Sequence, residues 1–299
     1  MSNWKNLLID VYRWTTFPIR WASLARDRRR RTVPIAVLFY HRVADDPLHD
    51  LAISPQRFEQ QINWMQQRFD LISLAEVQRR IRDGNPRPAI SITFDDGYAD
   101  NCSFALPLLI ERKIPVTYFV CTHQTTCHKP FPHDLSQRVC PAANSIESLR
   151  ALSRAGVEIG GHTRNHVDLG QPWTDDVLYD ELIVASRDMQ TMIGSPIRYF
   201  SFPFGQKKNL HPRVFQLLKR EGFAGVCSAY GGLNEIGGDE FHLQRIPGDA
   251  NFARMKNWLS GDPRLRRVER YEWRAPLTIA KTESTPVSMS ACDREALTQ

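Results

Sequence analysis

Apolar and polar positions alternate between two periods along the middle of the chain. Short β-branched or aromatic runs are followed, about seven times, by stretches of helical period. Pro34 to Phe39 reads as a first strand. Ser54-Pro55 then supplies a serine cap and a proline at the first helical position, ahead of a stripe of Phe58, Ile62, Met65 and Phe69. Leu74 to Ile81 predicts a second helix, stopped by Asp83-Gly84-Asn85-Pro86. Further strands are expected at Ala89 to Phe94, Val116 to Cys121, Val157 to Gly161, Arg198 to Phe202, Ala224 to Ser228 and His242 to Ile246. Helices are expected at Asn101 to Lys113, Ser145 to Ala155, Asp175 to Ile193, His211 to Arg220 and Asn251 to Leu259. Asp175 to Ile193 is the longest, with Val177, Leu178, Leu182, Ala185, Met189 and Ile193 inward. Residues 122 to 144 read as a long irregular insertion of the kind used for lids or mobile segments. Gly231 to Gly238 reads as a flexible loop. The alternation argues a parallel α/β architecture and leaves a doubly wound sheet and a closed barrel equally open.

The ends differ from the middle. Leu7, Leu8, Val11, Trp14, Phe17 and Trp21 recur at helical spacing, ahead of the basic run Arg26 to Arg31. Two readings stand side by side: an interfacial helix giving peripheral membrane contact through residues 1–31, or a helix packed against its own domain. Lys5, Asp10, Arg13 and Arg20 interrupt the run, so it neither spans a bilayer nor resembles a cleaved signal peptide. A cytoplasmic location, or one at the inner membrane face, is the expectation. Beyond Asp262 the chain is basic and then polar, which predicts a disordered tail. The expected organisation is an extension over 1–32, one domain over 33–261 and a tail over 262–299.

A chain of 299 residues, 42% hydrophobic and 24% charged, suits a soluble protein with one large core. The net charge of +6 is concentrated near the ends, without aromatic interleaving, so no nucleic-acid partner is expected. Six cysteines in a chain this long make no disulfide scaffold. Cys121, Cys127 and Cys140 crowd one segment with His123, His128 and His133, but the spacing is not that of a zinc ligand set. Incidental thiols rank first there, a disulfide next and a second metal site last.

The chemistry gathers at strand ends. Ala89 to Phe94 stops in Asp95-Asp96-Gly97. Two adjacent carboxylates at the end of a buried strand are costly, and a metal relieves that cost while one acid stays free to take a proton. Solvated acids capping the next helix are the plainer reading. His162-Thr163-Arg164-Asn165-His166 follows the next-but-one strand, and histidines four apart share one face of a helical turn. Phe200-Ser201-Phe202-Pro203-Phe204-Gly205 then closes an aromatic strand in a Pro-x-Gly turn.

In that order, Thr-Phe-Asp-Asp-Gly, His-Thr-x-x-His and the Phe-x-Phe-Pro-Phe-Gly turn resemble the polysaccharide deacetylase superfamily, the NodB-homology group or carbohydrate esterase family four, over roughly residues 33 to 250. The resemblance implies an irregular (β/α)7 barrel in a single domain. It implies Asp96, His162 and His166 as ligands of a divalent metal, with zinc expected, and Asp95 as general base. A backbone N–H at Phe204 would help hold the oxyanion. Two positions depart from the fullest pattern: Ser201 stands where an arginine often braces the base, with Arg198 three residues early, and Arg245 stands where an acid histidine is usual. The exopolysaccharide-associated branch, with a Leu-x-Arg-Ile strand, is the nearer match. Arg245 would then orient Asp95 or the substrate, and His41, ahead of His242, is the candidate acid. The implied function is metal-dependent removal of N-acetyl groups from an amino-sugar polysaccharide or glycolipid. Deacylation of a small amide or O-acetyl ester, and a glycan-binding pseudoenzyme, are the alternatives; the oligomeric state stays open.

Overall fold

The computed structural model describes residues 3–46, 51–136, 140–248 and 251–274. Its strands are β1 (Ile35–Tyr40), β2 (Arg42–Val43), β3 (Ala52–Ile53), β4 (Asp70–Leu71), β5 (Ala89–Phe94), β6 (Val116–Val120), β7 (Glu158–Gly161), β8 (Tyr199–Ser201), β9 (Gly225–Cys227), β10 (His242–Leu243) and β11 (Ile246–Pro247). One sheet runs β10-β9-β8-β7-β6-β5-β1-β11, every pairing parallel, with β4 on the flank of β5. Its two ends belong to one stretch of chain. Leu243 pairs with Cys227 on β9, and Ile246 pairs with Leu38 on β1. The expected last strand, His242 to Ile246, therefore changes partners at Gln244-Arg245 and closes the barrel, giving an irregular (β/α)7 ring.

Alternation along the strands separates interior from exterior. On β1, Ile35 and Val37 join Phe119, Tyr199, Cys227 and Leu243 in one cluster inside the ring. Leu38 and Tyr40 join Phe58, Ile62 and Met65 in the larger cluster beneath the outer helices. The helix Leu74–Asp83 plugs one mouth: its Gln78 donates to the Ala224 and Glu240 carbonyls and accepts from Tyr199 Oη. The other mouth, at the C-terminal ends of the strands, is where parallel α/β barrels carry their sites.

Several expectations change in detail. The helix expected over 101–113 divides into a 3-10 turn, Ala99–Cys102, and a helix, Ala105–Glu111; Pro107 falls in its first turn, where a missing N–H breaks no helical bond. The long helix over 175–193 is continuous but widens at Asp180–Val184 into a π turn, closed by Ala185 N–H to the Asp180 carbonyl. The irregular insertion is ordered where it is described. It holds short helices at Thr122–Cys127 and Pro132–Ser136, and Phe131 is buried with Tyr98 and Cys121. Cys121, Cys127 and Cys140 are free thiols. The glycine loop is pinned by Asn234, wholly buried, which bonds to Ile35 and Gln244.

The stretch assigned to a disordered tail begins by packing. Trp273 stacks on Phe215, at 5.5 Å, and donates to Asp239, and Tyr271 donates to the Leu210 carbonyl. Two aromatic rings in an otherwise polar segment gain enough by burial to order it. The polar stretch Thr282 to Thr298 lies outside the described residues. At the other end, α1 (Asn3–Thr15) and α2 (Phe17–Arg30) form two helices, α1 lying against the helix Phe252–Leu259.

Candidate active site

Two tight turns with the same geometry present the site. After β5, Asp95 N–H donates to the Tyr40 carbonyl on β1, and Gly97 N–H donates back to the Asp95 carbonyl at 2.9 Å. That three-residue turn centres on Asp96, whose φ is +70°. After β8, Gly205 N–H donates to the Pro203 carbonyl at 2.6 Å, around Phe204 with φ +61°. Such turns are strained for residues carrying a Cβ and persist only where surroundings enforce them. Each ends in a glycine with no room for a side chain. A Cβ on Gly97 would sit 3.0 Å from Val120 Cγ1, and one on Gly205 would sit 2.6 Å from the Ala229 nitrogen.

The histidine segment is not the helical turn that its spacing suggested. Residues 162–168 form an irregular loop off the end of β7, and Thr163 and His166 both have positive φ, +66° and +55°. The clamp is Glu181, in the π turn. Its carboxylate accepts from the Arg164 and Asn165 backbone N–H groups, at 2.9 and 3.0 Å, and from Asn165 Nδ2 at 2.7 Å. Burial pushes this carboxyl above its usual range, partly offset by those donors. Glu181 was not anticipated; no motif marks it, because its partner loop lies elsewhere in sequence.

The loop and the first turn bring three donors together. Asp96 Oδ1 lies 3.3 Å from His162 Nε2 and 3.2 Å from His166 Nε2, and one ligand atom from each residue falls within 4.8 Å of the others. Asp96 Oδ1 is buried, yet it makes no hydrogen bond of acceptable geometry to either ring. His162 Nδ1 faces the Ser201 carbonyl at 2.7 Å. A carbonyl only accepts, so Nδ1 carries the hydrogen and Nε2 offers a lone pair to the centre. A carboxylate oxygen and imidazole lone pairs converging in a buried space fit a divalent cation. Burial raises the Asp96 carboxyl, but His162 and His166 outweigh it and hold it well below the carboxylate range.

His133, from the insertion, adds a fourth ring. Its Nε2 lies 2.9 Å from Tyr98 Oη and 4.0 Å from Asp96 Oδ2, and its ring is 5.5 Å from that of His166. The crowding of histidines in that segment was the signal, though the segment reads as incidental from spacing alone. Among the described residues, Asp96, His162 and His166 form the one group arranged to hold a metal; no second centre forms around the cysteines.

Asp95 points to the other side, into the ring. Arg245 meets it with both guanidinium nitrogens at 2.7 Å, and the remaining donors reach Thr93 Oγ1, Ser201 Oγ and the Ser228 carbonyl. The guanidinium carbon also lies over the rings of Phe39 and Phe119, 5.0 and 5.5 Å from their centres. Burial would raise the Asp95 carboxyl, but Arg245, with His162 and His41, holds it below the usual range. Ser201, at the position where an arginine often braces the base, instead accepts from Arg245 at 2.6 Å. Arg198 is elsewhere, paired with Glu158 at the surface.

His41 lies at the mouth, edge-on to Phe39 at 5.6 Å, and its carbonyl accepts from Asn101 Nδ2. Burial pushes its pKa down, against an upward pull from Asp96 and Asp95. His242 does not join them. It faces outward among Phe215 and Tyr230, with Nε2 2.8 Å from Ser228 Oγ, because alternation sends Leu243 and Arg245 inward. Phe204 is about half exposed, its ring 5.0 Å from that of His166. No protein acceptor takes its backbone N–H among the described residues.

Comparison with known proteins gives a consistent result. A family model described as polysaccharide deacetylase matches residues 82–226. YxkH of Bacillus subtilis is 22% identical over 182 residues, a match spanning 60% of this chain and 60% of that relative. The fold is similar to that of the Streptococcus pyogenes deacetylase PplD, solved in complex with acetate, with a TM-score of 0.65, 21% identity, and 78% of this chain and all of that one covered. IcaB from Ammonifex degensii superposes with a TM-score of 0.62 at 23% identity, covering 76% of this chain and 97% of that one.

Proposed function

We propose that this chain, which a polysaccharide deacetylase family model matches over residues 82–226, is a metal-dependent hydrolase that removes N-acetyl groups from an amino-sugar glycan of an exopolysaccharide or cell envelope. The observation that carries the reading is a division of labour between neighbours. Asp96 turns toward two histidine nitrogens, while Asp95 turns away into a fork from Arg245. A binding module has no use for a second, separately braced carboxylate beside its metal ligands.

Asp96, His162 and His166 would hold the ion, with zinc as the proposed metal because two imidazoles and a carboxylate suit it. When bound, that ion supplies a Lewis acid that acidifies water and polarises an acyl carbonyl. Asp95 takes the proton of the attacking water through the oxygen lone pairs that Arg245 leaves unused. The Phe204 N–H donates to the oxygen that gains charge in the transition state. The proton taken up by Asp95 has to reach the leaving amine, and His41, whose ring feels the charges of Asp96 and Asp95, is the group proposed to pass it on. Acetate is the expected product, and the similar PplD fold is one solved with acetate.

The test is acetate release from N-acetylglucosamine oligomers by the purified protein, with zinc, with a chelator and as Asp95→Asn. Release should need the metal and vanish in Asp95→Asn, which should still bind zinc, whereas His162→Ala should lose both. Full activity in Asp95→Asn would remove the assigned base. Silence from zinc-loaded wild type would move the assignment to another amide or an O-acetyl ester.

A further inference from the structure

The two N-terminal helices turn their polar side inward. Arg20, 5% exposed, donates to the Asn257 carbonyl at 2.8 Å and to Asn257 Oδ1 at 2.7 Å. Tyr12 donates to Asp262 Oδ1 at 3.2 Å, and Asp27, also buried, pairs with Arg266 at 2.5 Å. The apolar side faces out: Leu7, Leu8, Trp14, Ile19 and Trp21 are each between 56% and 74% exposed. Single exposed apolar residues need no explanation, but a contiguous face of them anchored by buried polar contacts does. Packing against the barrel, one of the two readings of the sequence, is therefore real, but it uses the side opposite to the one expected.

The surroundings of that face identify its occupant. Residues 1–31 carry eight basic side chains against two acidic ones. An open groove of about 660 Å3 runs between α2 and the barrel, lined by Trp14, Phe17 and Trp21 together with Arg13, Arg68 and Lys256. A second copy of this chain would bring two such basic sets against each other. A bilayer bearing anionic headgroups receives the indole and leucine side chains at its interface and pairs the cations with its phosphates. No helix among the described residues is long and apolar enough to cross a membrane, so the contact is made along the surface.

We infer that α1 and α2 bind the surface of an anionic bilayer and hold the barrel on it with the candidate active site turned away. The groove reaches Pro34, Ala36 and Ala89, at the starts of β1 and β5, whereas Asp95 and Asp96 follow the end of β5. Substrate would then reach the site from the aqueous side, as a glycan extending off the surface. Binding of this kind is independent of what the site hydrolyses.

The full chain is floated with vesicles of phosphatidylcholine alone or of phosphatidylcholine with phosphatidylglycerol. It should rise with the anionic vesicles, less at high salt. The double variant Trp14→Glu/Trp21→Glu should bind at least about tenfold less while keeping its far-ultraviolet dichroism and zinc content. Equal flotation of the variant, equal flotation on neutral vesicles, or none with either lipid overturns the inference. So does a concentration-dependent dimer that this variant dissociates, since a second copy would then cover the face.

Discussion

Arg245 and Asp95 meet as fork and carboxylate, Nη1 to Oδ1 and Nη2 to Oδ2, each at 2.7 Å, with Arg245 wholly buried. Its five N–H donors are all spent inside the protein, on Asp95, Thr93, Ser201 and Ser228. None is left for a substrate, so of the two roles open to it from sequence, Arg245 orients Asp95. Arg245→Lys keeps a charge but loses the planar fork and should lower kcat roughly 100-fold with zinc retained. It should also move the acidic limb of the kcat/KM profile to higher pH, because the guanidinium is what holds the Asp95 carboxyl down. A merely structural arginine would leave that limb in place, and an unshifted limb in the variant would end the assignment. Arg245→Ala strands a buried carboxylate and should cost about 3–5 kcal/mol of stability, read from denaturant midpoints.

Glu181 touches no donor of the metal set, yet it fixes the backbone that carries two of them. With Glu181→Ala, the Asn165 N–H loses its acceptor and the Arg164 N–H keeps only the backbone carbonyl of residue 181, so the positive φ of Thr163 and His166 loses much of its support. Zinc affinity should fall about 10- to 100-fold, the range usual for partners that orient metal ligands. Competition against a chromophoric chelator measures it, with dichroism confirming the fold. Unchanged affinity would mean that the loop keeps its shape without the clamp.

What was readable in the chain follows how local its cause is. Ala89 to Phe94 is apolar throughout and ends in Asp95-Asp96-Gly97, so the strand and its carboxylates could be read directly. The partner change at Gln244-Arg245 could not, because closure depends on β1 and β9, far away in sequence. A spacing of four fits a helical turn, and His162 and His166 were read so; the left-handed backbone that replaces it is imposed by Glu181 from the π turn. Alternation sets His242 against Leu243 and Arg245, and those sides persist across the change of partners. Tyr271 and Trp273 were a legible signal outweighed by the charges around them, which is why ordered packing begins where a tail was expected.

His242 is the remaining histidine of that set, and its burial makes it a stability determinant. It is 1% exposed, and burial first, then Arg270, depress its pKa from 6.5 to about 3, against an opposing pull from Asp239. The native state keeps the ring neutral where the unfolded chain takes up a proton. Its contribution is therefore whole above pH 6.5 and is lost as pH falls toward about 3. In that window one such group adds a slope of up to about 1.4 kcal/mol per pH unit to the unfolding free energy. His242→Gln can still bond to Ser228 and should flatten the dependence of urea midpoints between pH 6.5 and 4 by nearly that amount. Both proteins are measured with the same chelator, so that contributions from the site carboxylates and histidines cancel in the difference. Identical slopes would place the ring in a protonated native form and remove burial as the cause.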